Sequence, residues 1–228
     1  MFRIGILGAA DIAFNKFIPA LMKVEGVECA GVASNSPDKL KRFVEKYNVH
    51  VYSSYNEVIG DDSVDCVYIP LPPAFHYEWA KKALLAGKHV FLEKPSTTSA
   101  DDTKELVGIA GEKGLVVQEN YMFQFHAQLK EIENLIASGE LGKLRLVRTS
   151  FGFPRRAEGD FRYVKELGGG TMMDNGGYTI KLIDMLLGES MRLVSSQLDY
   201  DEKTGIDIFG TAEFVNDDGV IAQAGFGM

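Results

Sequence analysis

Gly8-Ala9-Ala10-Asp11-Ile12-Ala13 is the first stretch of the 228-residue chain whose residue types and spacing suit a definite chemistry. A glycine closing an apolar run, followed by small residues that open a helix, offers backbone N–H groups and a helix dipole to a phosphate. Gly8, Ala9, Ala10, Asp11 and Ile12 are therefore candidate pyrophosphate contacts. Against the G-x-G-x-x-G/A spacing, Gly8 fits the tight turn and Ala13 the close helix–strand contact, but Ala10 replaces the middle glycine. A methyl there sets the phosphates slightly farther out. On the motif alone, a Gly-Ala turn without a ligand stays open. A second cluster, Ser34-Asn35-Ser36 with Lys39, stands at the tip of the next apolar run. Dinucleotide folds that grip the ribose hydroxyls of NAD place a carboxylate at that tip. Here three hydrogen-bonding side chains and a lysine stand there instead, which favours the 2'-phosphate of NADP(H) over NAD(H), though NAD(H) stays possible because no arginine stands there. The alternative makes Ser36 only an N-cap and Asn35 only a turn residue.

Such clusters need a scaffold, and the first half of the chain supplies an alternating one. Apolar runs at 2–7, 28–33, 49–52, 64–71, 89–93 and 115–119 read as strands separated by helical patterns, the rhythm of a parallel sheet with crossover helices. Ser36-Pro37 predicts a capped helix start, Ser99 with Asp102 another, and Gly87 ends a helix over 74–86. Past residue 120 come a helix at 129–138, a strand at 144–153, an arginine-bearing loop and a helix at 171–187. Three strand-like runs follow at 192–200, 207–215 and 220–226, the last two joined by the turn composition Asn216-Asp217-Asp218-Gly219. The expected fold is α/β: a Rossmann dinucleotide-binding domain over 1–120, then an α+β substrate and oligomerisation domain over 121–228 with a mostly antiparallel open sheet.

Composition narrows the partners. Twenty-four Lys and Arg against 32 Asp and Glu give a net charge of -8, which opposes nucleic acid and anionic lipid. The basic run Lys39-Leu40-Lys41-Arg42 reads as a solvated helix face beside Asp38 and Glu45. No apolar stretch nears the roughly 20 residues of a membrane helix. Cys29 and Cys66 lie in apolar runs without ligand spacing, so they read as buried hydrophobes in a reducing cytoplasm. No residue set has metal spacing, and no Gly-x-Ser-x-Gly elbow occurs.

Two segments carry a resemblance. Val67-Tyr68-Ile69-Pro70-Leu71-Pro72-Pro73-Ala74-Phe75-His76 and Ala86-Gly87-Lys88-His89-Val90-Phe91-Leu92-Glu93-Lys94-Pro95 resemble the glucose-fructose oxidoreductase / inositol dehydrogenase / MocA family, with Glu93-Lys94-Pro95 the most specific mark. With Gly168-Gly169-Gly170-Thr171-Met172-Met173-Asp174-Asn175-Gly176-Gly177-Tyr178, the resemblance runs from residue 2 to about 190. The wording looks most similar to nucleotide-sugar 3-ketoreductases of deoxysugar biosynthesis. This resemblance implies that Lys94 ends the fifth strand beside the nicotinamide, with Pro95 open to a cis peptide bond. A lysine there polarises a carbonyl, stabilises alkoxide charge and passes a proton. Where many relatives carry histidine four residues after the aspartate, this chain has Tyr178, a pattern resembling ketoreductase and glucose-fructose-type members. Tyr178 would share the proton transfer, and Asp174 would fix the substrate or Lys94. The competing reading makes Tyr178 a core aromatic beside Met172, Ile180 and Ile183.

The resemblance also implies cofactor contacts at Leu71, Pro72 and His76, with Glu93 and Asn120 positioning the nicotinamide. Asp160, Arg162 and Tyr163 are candidates for sugar hydroxyls or a diphosphate, or else plain loop charge. Arg155, Arg156 and Arg162 suit a diphosphate better than a neutral sugar. The expectation is an NAD(P)-dependent oxidoreductase moving a hydride between nicotinamide and a sugar-type carbonyl or hydroxyl carbon, possibly reducing a keto-sugar nucleotide. Dehydrogenation of a free sugar, polyol or trans-dihydrodiol is the first alternative. A catalytically silent NADP(H)-binding protein is the second, because the second domain is expected to be shorter than the family's. Its exposed sheet predicts a homo-oligomer.

Overall fold

The computed structural model describes residues 1–188 and 190–228. They divide into two compact units, Met1–Asn120 and Tyr121–Met228. In the first, strands β1 (Phe2–Leu7), β2 (Val27–Ala33), β3 (Cys66–Ile69), β4 (His89–Leu92) and β5 (Val117–Glu119) form a parallel sheet in the order β2-β1-β3-β4-β5. A π-helical turn (Ala13–Phe17) leads into α1 (Ile18–Leu21), and α2 (Pro37–Tyr47), α3 (Tyr55–Gly60), α4 (His76–Leu85) and α5 (Ala100–Lys113) supply the remaining helices of this unit. The strand expected at 49–52 shrinks to one bridge, Val32 with Val51. Its physical reason is local: Ser54 already caps α3, accepting from the Glu57 N–H at 3.1 Å, so the chain leaves the sheet edge at once.

Alternation along the strands explains the continuous apolar runs. Ile6, Val32 and Tyr68 pack against Ile18, Leu40 and Phe43, whereas Leu7, Ala33, Val67 and Ile69 pack with Val58, Leu84 and Leu106. Both faces are covered, as a parallel sheet requires. Chain order reverses between β1 and β3, so the crevice for a ligand opens beyond their carboxyl ends. Ser99 caps α5 as expected, accepting from the Asp102 N–H at 3.4 Å. Ser36 does not cap α2; its own N–H donates to Ser34 Oγ at 3.0 Å, and Pro37 starts the helix without a side-chain cap.

The second unit holds α6 (Ala127–Ser138), β6 (Leu146–Gly152), α7 (Gly177–Leu187), β7 (Arg192–Tyr200), β8 (Asp207–Val215) and β9 (Ile221–Gly227). Its sheet runs β6-β9-β8-β7, antiparallel except where β6 lies parallel to β9. Ile183 of α7 packs on Ala222 and Ala224 of β9. The turn at 216–219 forms as composed, with Gly219 N–H donating to Asn216 O at 3.0 Å and Val220 N–H to Asn216 Oδ1 at 2.9 Å.

Candidate cofactor cleft and catalytic residues

A cleft of about 500 Å³ is lined by Gly8, Ala9, Ala10, Ser34, Asn35, Ser36 and Lys39 together with Leu71, Pro72 and Trp79. Gly8 adopts φ +123°, and a Cβ there would lie 2.8 Å from Leu71 Cδ2. Only glycine lets the turn take that conformation and lets Leu71 approach. A cradle that one methyl would fill, at the start of a helix, fits the pyrophosphate of a dinucleotide. The polar tip Ser34 to Lys39 opens into the same cleft, and Glu78, a carboxylate on its lining, is ion-paired with Lys82 at 2.7 Å.

Asp11 and Ile12 do not line this cleft. Asp11 Oδ1 instead accepts from Arg42 Nη1 at 2.6 Å, while Arg42 Nη2 donates to Ala9 O at 3.1 Å and the guanidinium lies 4.7 Å from the Phe14 ring centroid. Arg42, though still partly exposed, is thus more than a solvated helix residue: it braces the Gly8 turn. It neutralises a carboxylate that would otherwise repel a phosphate. Its signal in the sequence was the spacing of three from Lys39 on α2.

At the end of β4, the Lys94-Pro95 peptide is cis and Lys94 is half-buried. With the 49–52 run reduced to a bridge, Lys94 follows the fourth strand of the sheet rather than the fifth. Glu93 Oε1 accepts from Tyr68 Oη at 2.6 Å and from Asn120 Nδ2 at 2.8 Å. Tyr68 is fully buried and stacked on Phe17 at 3.8 Å. Burial, reinforced by the Glu93 charge, pushes its hydroxyl far above the usual tyrosine value, so it remains a donor. Glu93 and Asn120 therefore brace the backbone beside Lys94. Tyr68 was missed because a tyrosine in an apolar strand looks like any core aromatic.

His76 is fully buried, with Nε2 2.7 Å from Leu71 O and Nδ1 2.8 Å from Pro95 O. A neutral ring carries one N–H and donates to only one of these two carbonyl oxygens at a time. The ring is fully buried and does not line the cleft, so His76 is not placed as a cofactor contact; wedged between the two carbonyls, it ties the Leu71-Pro72 segment of the cleft to the turn after Lys94. Burial lowers its pKa, against the two carbonyl acceptors that raise it.

In the second unit, Asp174 lies in a π-helical turn (Met172–Gly176) and Tyr178 in the first turn of α7. The π turn alters the simple i,i+4 alignment expected of this pair. Asp174 is 7% exposed and accepts from Arg162 Nε at 2.7 Å, while Arg162 Nη1 reaches Asp160 at 3.1 Å. Burial opposes the guanidinium charge, but Asp174 and Asp160 hold Arg162 above its ordinary value. Arg162 is therefore a positioning group for Asp174, its Nε and Nη1 engaged by carboxylates rather than left for a sugar or diphosphate. Tyr163 is committed as well: its Oη accepts from Arg156 N–H at 2.7 Å. Tyr178 is half-buried among Tyr121, Phe123 and Phe151, at ring distances of 5.1, 5.8 and 5.0 Å. A methyl on Gly177 would collide with the Tyr121 hydroxyl, so glycine there admits one wall of this aromatic box. Asp207 Oδ2 accepts from Met172 N–H at 2.5 Å and anchors the start of the π turn, a role its place after a loop did not signal.

Comparison with known proteins fits this geometry. A profile of the oxidoreductase family with an NAD-binding Rossmann fold matches residues 2–121, and one of the GFO/IDH/MocA C-terminal domain matches residues 129–228. A dTDP-3,4-didehydro-2,6-dideoxy-alpha-D-glucose 3-reductase of Actinomadura kijaniata is 37% identical over 226 residues, covering 99% of this chain and 68% of the relative. An enzyme of the same name from Streptomyces violaceoruber is 40% identical over 228 residues, covering 99% of this chain and 66% of the relative. The crystal structure of a 3-ketoreductase from Actinomadura kijaniata, in complex with NADP and TDP-benzene, superposes with a TM-score of 0.96 at 36% identity, covering 100% of this chain and 70% of that one. The chain thus spans about two thirds of the length of these relatives. With both of its units matched, the chain belongs to the GFO/IDH/MocA oxidoreductase family.

Proposed function

We propose that this protein reduces the keto group of a nucleoside-diphosphate deoxysugar with NADPH. The observation that carries this reading is the identity of 37% and 40% along 99% of the chain to two enzymes named for that reaction. The cleft supports it, since Gly8 cradles a pyrophosphate and Ser34, Ser36 and Lys39 suit a 2'-phosphate. When bound, the nicotinamide supplies the hydride that adds to the carbonyl carbon. Lys94 polarises the carbonyl oxygen and, with Tyr178, delivers the proton that turns the alkoxide into a hydroxyl. Glu93, held by Tyr68 and Asn120, and His76 keep the Lys94 turn in place; Arg162 keeps the Asp174 carboxylate where it meets the sugar. Assembly through the second sheet belongs to the same proposal, because its edge strand β7 exposes Leu193 and Val194. A cytoplasmic location goes with it, the two unpaired cysteines suiting a reducing compartment.

The test follows nicotinamide absorbance with NADPH or NADH against a panel of dTDP-keto-sugars and free sugars. Turnover of a dTDP-keto-sugar is expected, with NADPH preferred about tenfold or more, or about 1.4 kcal/mol. Turnover of free sugars with none of the nucleotide sugars sinks the substrate, and an NADH preference sinks the cofactor assignment.

A further inference from the structure

We propose that Arg155 and Arg156 are the grip for the diphosphate of the substrate, an assignment that rests on the reading of that substrate as a nucleoside-diphosphate sugar. The loop between β6 and α7 carries three arginines in two different situations. Arg162 is ion-paired with Asp174 at 2.7 Å and with Asp160 at 3.1 Å. Arg155 and Arg156 are exposed, and neither joins an ion pair among the described residues. Their guanidinium groups are nevertheless oriented. Arg155 lies 5.3 Å from the Tyr163 ring centroid and Arg156 4.5 Å from that of Phe153. Tyr163 Oη accepts from Arg156 N–H at 2.7 Å and donates to Arg156 O at 3.3 Å, which closes the loop on itself.

A guanidinium on a ring face keeps its fork of N–H donors free at the edge. Two such forks in succession match two adjacent phosphoryl groups, each with oxygens for bidentate hydrogen bonds. The two cations are carried by neighbouring residues, and among the described residues no carboxylate forms an ion pair with either. Glu158, two residues on in sequence from Arg156, is exposed and forms no ion pair among the described residues, and Asp201, which feels the charge of Arg155, is held by the Thr204 hydroxyl at 2.7 Å and N–H at 3.0 Å. The counter-charge is therefore left to a ligand. The grip is also well placed: the Phe153 ring under Arg156 lies 5.8 Å from the guanidinium of Arg162, which holds Asp174. A diphosphate bound there puts its sugar beside the Asp174 and Tyr178 end of the same unit.

A dinucleotide cofactor also carries a diphosphate, so the test separates the two sources. Calorimetry measures binding of thymidine diphosphate, thymidine and NADPH to wild type, Arg155→Gln/Arg156→Gln, Arg155→Lys/Arg156→Lys and a control that removes two exposed charges elsewhere, Arg145→Gln/Arg192→Gln. The glutamine pair is expected to weaken thymidine diphosphate about tenfold or more. Thymidine and NADPH should stay within about twofold, the lysine pair should fall between because it keeps charge without the fork, and the control should match wild type. Thermal midpoints establish folding, and the lysine pair carries the test if the glutamine pair does not fold. Equal binding of thymidine diphosphate by wild type and the arginine variants overturns the grip alone, as does an equal loss in the control or a loss confined to NADPH. A wild type that binds thymidine diphosphate no better than thymidine overturns the grip together with the nucleotide part of the proposed function.

Discussion

Lys94 is the residue on which the proposed chemistry turns, and what surrounds it is as informative as its type. The preceding carboxylate, Glu93, is held at 2.6 Å by a hydroxyl from β3 and at 2.8 Å by an amide that follows β5. The backbone beside the lysine is therefore fixed from two neighbouring strands. Replacing Lys94 with alanine is expected to lower kcat about 10²- to 10⁴-fold, the range for losing a general acid. NADPH affinity should stay within about twofold by fluorescence titration. Undiminished turnover of Lys94→Ala removes it from the mechanism. Tyr68→Phe leaves the ring stacked on Phe17 but takes a donor from a part-buried carboxylate. An unmet group of that kind costs about 1–3 kcal/mol, to be read from urea unfolding. If Glu93 positions Lys94, the same variant lowers kcat while leaving the NADPH Kd alone, which a purely structural tyrosine would not do.

At the scale of elements, both candidate sites begin where an α-helix starts through a π turn, Ala13–Phe17 before α1 and Met172–Gly176 before α7. Such turns re-aim side chains and are frequent at functional positions. The first follows the strand β1 and its Gly8 cradle. Gly8→Ala adds a Cβ at a φ of +123° and within 2.8 Å of Leu71 Cδ2. Strain and displacement of Leu71 together are expected to cost about 1–3 kcal/mol. The outcome is a Kd for NADPH raised about tenfold or more, measured by fluorescence quenching, with any change in thymidine diphosphate binding within about twofold. Intact NADPH affinity would mean that the turn is only a structural corner.

Across the whole molecule, the two thiols set a pH limit. Burial pushes Cys29 up to about 11 and Cys66 up to about 12. Unfolded thiols ionise near about 8.5, so above that pH the unfolded chain gives up protons that the folded chain keeps. Stability from this source is whole below about 8.5 and declines as pH rises toward the folded values. Urea midpoints should therefore fall between about pH 9 and about pH 10.5, and Cys29→Ala/Cys66→Ala should flatten that slope. A slope unchanged in the double variant assigns the decline to other groups, among them Tyr52 and Tyr68, whose hydroxyls are also held above the usual value.

What the amino-acid sequence determined by itself was whatever is coded by neighbours along the chain. Alternating apolar runs specify β1 to β5, and the Asn216-Asp217-Asp218-Gly219 turn specifies the β8–β9 hairpin. Gly8 marks the phosphate turn, because only backbone conformation and helix polarity enter there. Tertiary structure decided which polar groups remain available, since that depends on partners far away in sequence. Arg42 was drawn to Asp11 and Ala9, His76 was buried between Leu71 O and Pro95 O, and Arg162 was paired with Asp160 and Asp174. Arg155 and Arg156, identical to Arg162 in type, form no ion pair among the described residues. A side chain's charge is written in its residue type, but its availability follows from the partners that folding brings within hydrogen-bond reach.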